Sequence, residues 1–329
     1  MTRGLVLRGS RNIFTVLPEA PSQTPGAGQE PSGTADRLLE CRIKGKILKG
    51  VEGFYNPLAP GDIVTVAEDP RRPGAALILA VEERRNRLTR FNRKGFGENR
   101  NDASQLLAAN VDQIFCVITP AAPPFRPRFL DRALVQAEAS GIPAVIVCNK
   151  WDLFGGDADT EERLEDFARI GYRVLCVSVK TGAGMDELRA LAENRLSVLT
   201  GQSGTGKSSI INALLPAANQ KTGAINEKYN RGNHTTTLSA LFGARTATRL
   251  IDTPGIRLLL PDGVAPDALI RYMKEFAPLA GTCSYGHSCS HVSEPGCKIL
   301  EAVHAGVIHE SRYESYLRIR EELAGVRQG

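Results

Sequence analysis

Apolar and polar residues alternate over short runs in the first hundred positions, and turn-forming residues separate these runs. Such alternation is typical of strands that have one buried face. The runs cover Gly4–Gly9, Asn12–Leu17, Leu38–Ile47, Asp62–Ala67 and Ala75–Glu82. Strands this short and closely spaced predict a small β-barrel, with the OB-fold as first choice and an SH3-like barrel as the alternative. The Pro/Gly/Ser-rich stretch 18–35 predicts a loop.

Beyond Asn101 the apolar runs become continuous. Gln113–Ile118, Ala144–Cys148 and Val174–Ser178 are almost wholly apolar, as expected of strands buried on both faces of a parallel sheet. The segment between the first two, Arg128–Ser140, fits a helix. Strands that alternate with helices predict an α/β domain.

The chain becomes helical again after Arg271, with a cluster of cysteines and histidines interrupting the pattern. We therefore predict a multidomain protein: a barrel over residues 1–100, an α/β domain over 101–272 and a metal-binding, mostly helical domain over 273–329. Its last helix, Glu310–Leu323, is amphipathic and of mixed charge. We interpret this helix as a packing element rather than an RNA contact.

The composition excludes several classes of protein. The 329 residues are 42% hydrophobic and 23% charged, which is ordinary for globular proteins and excludes a wholly disordered chain. No apolar run reaches the about 18–20 residues that span a bilayer, and the N-terminus lacks the apolar stretch of a secretory signal. Seven cysteines, three of them near histidines, predict a reduced, cytoplasmic protein with a metal site.

The positive charge is concentrated in the predicted barrel. The formal net charge is +5, and the first 100 residues hold 17 basic against 11 acidic side chains. Within them, the basic stripe (residues 84–100) has seven basic residues and one acidic residue. A stripe of this density favours a polyanionic partner. The alternative is that its arginines clamp the barrel to the next domain.

A glycine-rich segment between a predicted strand and a predicted helix matches the phosphate-binding loop G-x-x-x-x-G-K-[ST]. Glycines allow backbone N–H groups to surround phosphate oxygens, and the helix N-terminus adds a favourable potential for an anion. Lys207 would bridge the β- and γ-phosphates, and Ser208 would coordinate Mg²⁺. The segment consists of Gly201, Gln202, Ser203, Gly204, Thr205, Gly206, Lys207, Ser208 and Ser209.

The segment Asp252-Thr-Pro-Gly255 follows a predicted strand, 249–252. A carboxylate at the end of this strand can hold Mg²⁺, and the backbone N–H of Gly255 can approach a γ-phosphate. Such a segment alone is a common turn, but downstream of a phosphate loop it indicates the second half of a nucleotide site.

Asn149-Lys-Trp-Asp152 follows the buried strand 144–148 and indicates a guanine-binding motif. A carboxylate at Asp152 accepts hydrogen bonds from guanine N1–H and the 2-amino group, whereas adenine lacks both donors and would leave it unpaired. Asn149 would support the loop, and the stem of Lys150 would cover the base. In the companion loop of Ser178, Val179 and Lys180, a backbone N–H near Val179 would meet guanine O6. We therefore predict GTP and GDP as ligands.

These motifs occur in an unusual order, because the guanine motif precedes the phosphate loop instead of following it. Circular permutation can preserve a three-dimensional site, since domain termini commonly lie close together. A permuted GTPase after a barrel and before a Cys/His cluster resembles the ribosome small-subunit-dependent GTPase A family. The similar stretches are Ala109-Asn-Val-Asp-Gln113, Gly201–Ser209, Gly232-Asn-His-Thr-Thr-Thr237 and Glu294-Pro-Gly-Cys297.

The resemblance implies a GTP hydrolase that acts late in maturation of the small (30S) ribosomal subunit. Such a protein binds the subunit through 16S rRNA near the decoding region, is stimulated by it and is released on hydrolysis. We expect a monomer without membrane contact. The alternatives are an RNA-binding module that binds nucleotide without turnover, and a GTPase of another assembly step.

The residue that positions the attacking water is predicted by elimination. Many GTPases use a glutamine directly after the D-x-x-G segment, but this position is Ile256, which cannot hydrogen-bond to water. His234 is the substitute candidate, which the resemblance supports, with a purely structural role as the alternative. Thr236 is the predicted switch threonine that contacts Mg²⁺ and γ-phosphate, and Thr235 is the second choice.

The Cys/His cluster predicts one structural zinc ion per chain. Three thiolates and one imidazole form a closed Zn²⁺ site, and the metal would organise a domain with little core of its own. The family usually has one residue fewer between its first two cysteines, so His287 is a rival ligand. The predicted ligands are Cys283, Cys289, His291 and Cys297.

Overall fold

The chain divides into two compact units in a computed structural model of the protein. The first contains residues 1–111, 192–198 and 214–254, and the second contains 112–191, 199–213 and 255–329. The structure describes residues 1–10, 12–19, 38–45, 48, 54, 56–91, 104–216, 239–253 and 261–327. Among these residues, no helix is both long and apolar enough to cross a bilayer.

A closed β-barrel forms the core of the first unit. Its strands are β1 (Thr2–Ser10), β2 (Ile13–Pro18), β3 (Leu39–Ile43), β4 (Ile63–Glu68) and β5 (Ala76–Val81). They pair in the order β1-β2-β3-β5-β4, and β1 closes the barrel by pairing with β4. β3 and β5 are parallel, whereas the other pairs are antiparallel. This order confirms the OB-fold prediction over the SH3-like alternative.

The barrel interior consists of every second residue of these strands, as the alternation of apolar positions predicts. Val6, Phe14, Val16, Val64 and Ile78 are each at most 2% exposed. Burying such side chains contributes about 1.5–3 kcal/mol each to the free energy of unfolding. The predicted strands match, except that β3 ends before the predicted residue 47.

The first unit has two further strand pairs, and of their four strands the sequence predicted only the one over 249–252. β6 (Arg87–Phe91) and β7 (Ser104–Ala109) form an antiparallel pair. β12 (Ala240–Phe242) pairs antiparallel with β13 (Arg249–Asp252). β12 also pairs with β1, where Arg8 lies opposite Ala240.

A sheet buried on both faces forms the centre of the second unit. β8 (Gln113–Ile118), β9 (Ala144–Cys148) and β10 (Arg173–Cys176) are parallel neighbours. β11 (Leu196–Gly201), whose last three residues belong to this unit, lies on the other side of β8. The strand order therefore reverses between β8 and β11, and this reversal creates the crevice where α/β sheets bind ligands.

Helices connect these strands. Helix α1 (Pro127–Ala139) joins β8 to β9, α2 (Ala158–Arg169) joins β9 to β10, and α3 (Met185–Ala192) joins β10 to β11. Helix α4 (Lys207–Leu214) begins directly after the glycine-rich loop that follows β11. The predicted α/β alternation is confirmed, although α2 was missing from the prediction.

The last part of the second unit is mostly helical, as predicted. Short 3₁₀ turns precede α5 (Lys298–His304) and α6 (Glu310–Arg327). In α6, Arg312, Tyr316, Ile319 and Leu323 are buried at helical spacing, which agrees with a packing role for this helix.

An ion network anchors α6 in the second unit. The guanidinium of Arg312 is 1% exposed and donates to Glu275 over 2.5 Å and 3.0 Å and to Asp131 of α1 over 2.5 Å. Ser315 also donates to Asp131. These two carboxylates raise the pKa of Arg312 against the opposing effect of its burial, which is the largest single influence. The cation is therefore charged and fully paired.

Candidate functional site

The phosphate loop connects β11 to α4, and its backbone requires glycine at two positions. Gly204 and Gly206 have φ angles of +87° and +90°, which cost residues with a Cβ about 1–2 kcal/mol. Thr205 holds the turn by donating from Oγ1 to the carbonyl of Gln202 over 2.9 Å. The structure thus places the predicted phosphate-binding residues, 201–209, in one continuous loop and helix start.

Lys207 lies across the mouth of this loop. Its Nζ donates to the carbonyl of Gly201 over 2.8 Å and to that of Gln202 over 3.0 Å. The side chain is buried, and its charge is therefore held at the loop rather than in solvent. An ammonium in this position can neutralise phosphate oxygens that bind to the surrounding N–H groups.

Asn149 links the guanine motif to the phosphate loop. It follows β9 and is 1% exposed, and its Nδ2 donates to the carbonyl of Thr205 over 2.9 Å. A Cβ built on Gly206 would lie 2.3 Å from this same Nδ2. The third glycine of the loop therefore satisfies two needs, a left-handed backbone and a close approach to Asn149.

Asp152 lies within hydrogen-bond distance of the companion loop. It accepts a hydrogen bond from Ser178 Oγ over 2.7 Å, and Lys180 Nζ is 3.8 Å from its other oxygen. The hydrogen bond from Ser178 lowers the pKa of Asp152, and the positive charge of Lys180 adds to this effect. The carboxylate therefore stays ionised and can accept hydrogen bonds at neutral pH.

Val179 and Lys150 complete this region. The N–H of Val179 lies 3.4 Å from Asn149 Oδ1, so the two guanine-motif loops are connected at a second point. Lys150 has a φ angle of +61° and donates from Nζ to the carbonyl of Ala122 over 2.6 Å. The loop after β8, which contains Ala122, is thus an element of the site that the sequence analysis missed. The proline-rich segment 120–124 after a buried strand was the available signal.

The other predicted nucleotide contacts divide into two groups. Asp252 ends β13 in the first unit, opposite Ala240 of β12. His234, Thr235, Thr236 and Gly255 lie outside the described residues, and so does Ile256. Their roles remain predictions.

Four side chains converge near the start of α5. The ligand atoms of Cys283, Cys289, His291 and Cys297 all lie within 4.8 Å of one another, and all four residues are buried. His291 Nδ1 is 3.6 Å from Cys283 Sγ and 3.4 Å from Cys297 Sγ. Three thiols and one imidazole at these separations fit a closed, tetrahedral Zn²⁺ site.

Hydrogen bonds to the surrounding backbone hold this group in place. Glu294 accepts from the N–H of Ser290 over 2.6 Å and from that of Val292 over 3.0 Å. Tyr313 of α6 donates to the carbonyl of His291 over 2.7 Å. Such contacts around the ligands orient them for a metal.

His287 does not join this group. It lies in the 3₁₀ turn Gly286–Ser288, and its ring would be 2.5 Å from a Cβ built on Gly281. The turn accommodates the extra residue between the first two cysteines. This geometry favours Cys289 over His287 as the ligand.

The arginines of the basic stripe that the structure describes fall into two groups, those with side-chain partners inside the first unit and those that are exposed. Arg84 is 10% exposed and donates to both oxygens of the buried Asp62, over 2.7 Å and 2.9 Å. Arg90 donates to Gln105 over 2.9 Å, and burial lowers its pKa. The sequence predicted that the basic stripe favours a polyanionic partner, with a clamp to the next domain as the alternative. For Arg84 the polyanion prediction is wrong, because its charge is paired with Asp62 inside the first unit. Arg85 and Arg87 are exposed.

Comparison with protein families gives a match to the RsgA GTPase family over residues 81–260. A protein of Bacteroides thetaiotaomicron, described as small ribosomal subunit biogenesis GTPase RsgA 2, is 38% identical over 87% of this chain and 90% of its own length. A protein of Gemmatimonas aurantiaca, described as small ribosomal subunit biogenesis GTPase RsgA, is 35% identical over 98% of each chain.

Two solved structures have the same fold. YjeQ from Thermotoga maritima is similar with a TM-score of 0.69 and 29% identity, over 98% of this chain and 99% of its own. YloQ, described as a circularly permuted GTPase, has a TM-score of 0.66 and 24% identity, over 99% of this chain and 96% of its own. The permuted order predicted from the motifs is therefore confirmed at the level of the fold.

Proposed function

The chain belongs to the RsgA GTPase family and is a GTP hydrolase, and on this premise we propose that it acts in late maturation of the small (30S) ribosomal subunit. It binds the subunit through 16S rRNA, hydrolyses GTP to GDP and phosphate when the subunit stimulates it, and is then released. It works as a monomer in the cytoplasm. The names of its relatives support the subunit as partner.

One observation carries the nucleotide assignment: Asn149 Nδ2 donates to Thr205 O over 2.9 Å. This bond joins the loop that would bind guanine to the loop that would bind phosphate. In our proposal, Asp152 accepts from the guanine edge, Lys150 covers the base, and Ser178, Val179 and Lys180 form the companion loop.

The phosphates bind the loop of Gly201, Gln202, Ser203, Gly204, Thr205, Gly206, Lys207, Ser208 and Ser209. Lys207 balances their charge, and Ser208 and Asp252 hold Mg²⁺ together with Thr236. Mg²⁺ supplies charge neutralisation at the phosphate oxygens. Zn²⁺ at Cys283, Cys289, His291 and Cys297 is structural. In this proposal the chain consists of a barrel over 1–100, a GTPase domain over 101–272 and a zinc domain over 273–329.

For catalysis we propose that His234 positions the attacking water. Ile256 occupies the position where many GTPases have glutamine, and its side chain cannot hydrogen-bond to water. Because this position lacks a side chain that can orient water, we expect hydrolysis to be slow without the subunit. The switch residues Thr236 and Gly255 would contact the γ-phosphate.

For RNA binding we propose two exposed residues of the basic stripe, Arg85 and Arg87. We add Arg93, Lys94 and the aromatic Phe96 from the sequence alone, since they lie outside the described residues. A surface that neutralises several phosphates releases counterions, so its affinity for RNA falls steeply as salt is added. Subunit binding that does not change with salt would contradict this role.

The deciding experiment measures GTP turnover with and without purified 30S and 50S subunits, and co-sedimentation with each. We expect stimulation by 30S alone and binding to 30S alone. The variant His234→Ala should bind GTP normally but lose the stimulated turnover. Turnover that no subunit changes would favour the RNA-binding module without significant hydrolysis. Stimulation by 50S would favour a GTPase of another assembly step.

A further inference from the structure

Two cysteines lie opposite each other at the ends of β9 and β10, the strands that lead into the guanine-motif loops. Cys148 is the last residue of β9, and Cys176 is the last residue of the neighbouring parallel strand β10, in register with it. Side chains at opposed positions of two parallel strands point to the same face of the sheet. Neighbouring strands are about 4.7–4.9 Å apart, which is within the Cα separation that a disulfide spans.

The surroundings of the two thiols differ. Cys148 is 0% exposed, whereas Cys176 is only half-buried. A hydrogen bond between the two side chains raises the pKa of Cys148 and lowers that of Cys176. The more accessible sulfur is thus also the better nucleophile, because the thiolate is the reactive form of cysteine.

The pair is connected to the guanine-motif loops by short paths. Cys148 immediately precedes Asn149, and its carbonyl accepts from the N–H of Val177 over 2.8 Å. The N–H of Trp151 donates to the carbonyl of Val177 over 3.0 Å. A change in the separation of the two strand ends therefore moves both loops relative to each other.

We infer that Cys148 and Cys176 form a redox-active dithiol, a modification site whose oxidation to a disulfide weakens guanine nucleotide binding. The effect on binding rests on the proposed function, whereas formation of the disulfide does not. The oxidant belongs to the class of hydroperoxides, and a low-molecular-weight dithiol reverses the reaction.

The reaction balances in two steps. The Cys176 thiolate attacks one oxygen of hydrogen peroxide, so that an S–O bond forms, the O–O bond breaks and hydroxide leaves as water after it takes up the proton that Cys176 released. The sulfur of Cys148 then attacks the sulfenic sulfur. An S–S bond forms, the S–O bond breaks, and hydroxide leaves as water with the proton of Cys148. Two electrons pass from the thiols to the peroxide.

Geometry explains the effect on binding. The Cα separation already suits a disulfide, but the Cβ atoms must be about 3.8 Å apart, whereas side chains on one face of neighbouring strands are about a strand spacing apart. The two Cβ atoms must therefore approach each other, and the strand ends shift with them. Asn149 and Ser178 follow these ends by one and two residues. Their shift displaces the groups that hold Asp152 and Thr205.

The test treats the zinc-loaded, full-length protein with hydrogen peroxide and maps disulfides by mass spectrometry of non-reduced peptides. Affinity for GDP is measured before treatment, after it, and after dithiothreitol. We expect a 148–176 linked peptide and at least tenfold weaker GDP binding that dithiothreitol restores. In the variant Cys176→Ser, affinity should be unchanged by peroxide.

A cysteine without an opposed thiol provides the matched control. Cys116 of β8 is buried but lies opposite Ile146, and Cys116→Ala should keep the peroxide response of the wild type. Absence of the linked peptide, or a linked peptide with unchanged GDP affinity, would overturn the inference. Reduced protein that does not bind GDP would instead count against the proposed function, since the peptide map is independent of nucleotide.

Discussion

Asn149 donates from its side-chain amide to the backbone carbonyl of Thr205 over 2.9 Å. This bond joins a residue that follows β9 to the loop that follows β11, across the point where strand order reverses. It requires that the residue after Thr205 have no side chain, because a Cβ on Gly206 would lie 2.3 Å from the amide nitrogen of Asn149. The guanine motif and the phosphate loop are therefore directly connected and depend on each other for their positions.

Replacement of Gly206 by alanine should abolish nucleotide binding. The added Cβ would lie 2.3 Å from Asn149 Nδ2, and both the loop and the amide would have to move. The matched control is Gly171→Ala, because Gly171 has a φ angle of +97° with no atom within 4 Å of the added Cβ. Both variants should lose about 1–2 kcal/mol of stability from the left-handed backbone, but only Gly206→Ala should lose GDP binding in calorimetric titration.

The variant Asp152→Asn should change the base specificity. An amide cannot accept from both guanine donors, and its own N–H group would face them. We expect GDP affinity to fall about 100-fold, as happens when paired polar groups lose their partners. Xanthosine diphosphate, which has a carbonyl in place of the 2-amino group, should bind better to the variant than GDP does. Unchanged preference for GDP would exclude Asp152 from base recognition.

Arg312→Ala should strongly destabilise the second unit. It leaves Asp131 and Glu275 without the cation that both contact, and removal of one partner from a buried ion network costs about 3–5 kcal/mol. Arg128→Ala is the control on the same pair of helices, because Arg128 lies 3.4 Å from Glu314 with both side chains 49% exposed. A surface pair contributes about 0–1 kcal/mol. Urea unfolding monitored by circular dichroism measures both changes.

The zinc content of two variants should show whether Cys289 or His287 is the zinc ligand. The Sγ of Cys289 belongs to the cluster within 4.8 Å, so Cys289→Ala should lose the metal and lower the melting temperature. His287→Ala should retain one zinc ion per chain by atomic absorption. Cys41→Ala, which removes a buried barrel cysteine outside the cluster, should retain it too. Loss of zinc from His287→Ala would reverse the ligand assignment.

Alkylation of Cys176 should persist to a lower pH than alkylation of Cys116. Its pKa is lowered by the hydrogen bond from Cys148, and a lower pKa leaves more thiolate at any pH below it. Burial raises the pKa of Cys116 to about 12, so that thiol stays protonated and unreactive at neutral pH. Iodoacetamide labelling from pH 6 to 9, quantified by peptide mass spectrometry, should show Cys176 labelled first. Equal labelling of both thiols would contradict this order.

The elements that the sequence predicted best are those whose burial is unambiguous. The continuous apolar runs 113–118 and 144–148 became β8 and β9 with the same bounds, because strands buried on both faces tolerate few polar residues. The phosphate loop and the Cys/His cluster were found for a similar reason, since each needs fixed residue types at fixed local spacing.

The features that the sequence did not reveal depend on pairings between distant segments. β6 contains two arginines among its five residues, so its apolar pattern is weak, and 12 residues separate it from its partner β7. The preference of the basic stripe for a polyanionic partner fails at Arg84, because its ion pair with Asp62 cannot be seen without the barrel. The opposed positions of Cys148 and Cys176 likewise require the strand register.

The triple pairing of β1 has a consequence for the order of folding. β1 pairs with β2 and β4 to close the barrel, and its residue Arg8 also lies opposite Ala240. During synthesis the barrel strands leave the ribosome long before β12, and early segments fold first. We therefore expect the barrel to close before β12 pairs with β1 and β13 pairs with β12. The backbone position of Asp252, at the end of β13, thus depends on a strand that is synthesised more than 200 residues earlier in the chain.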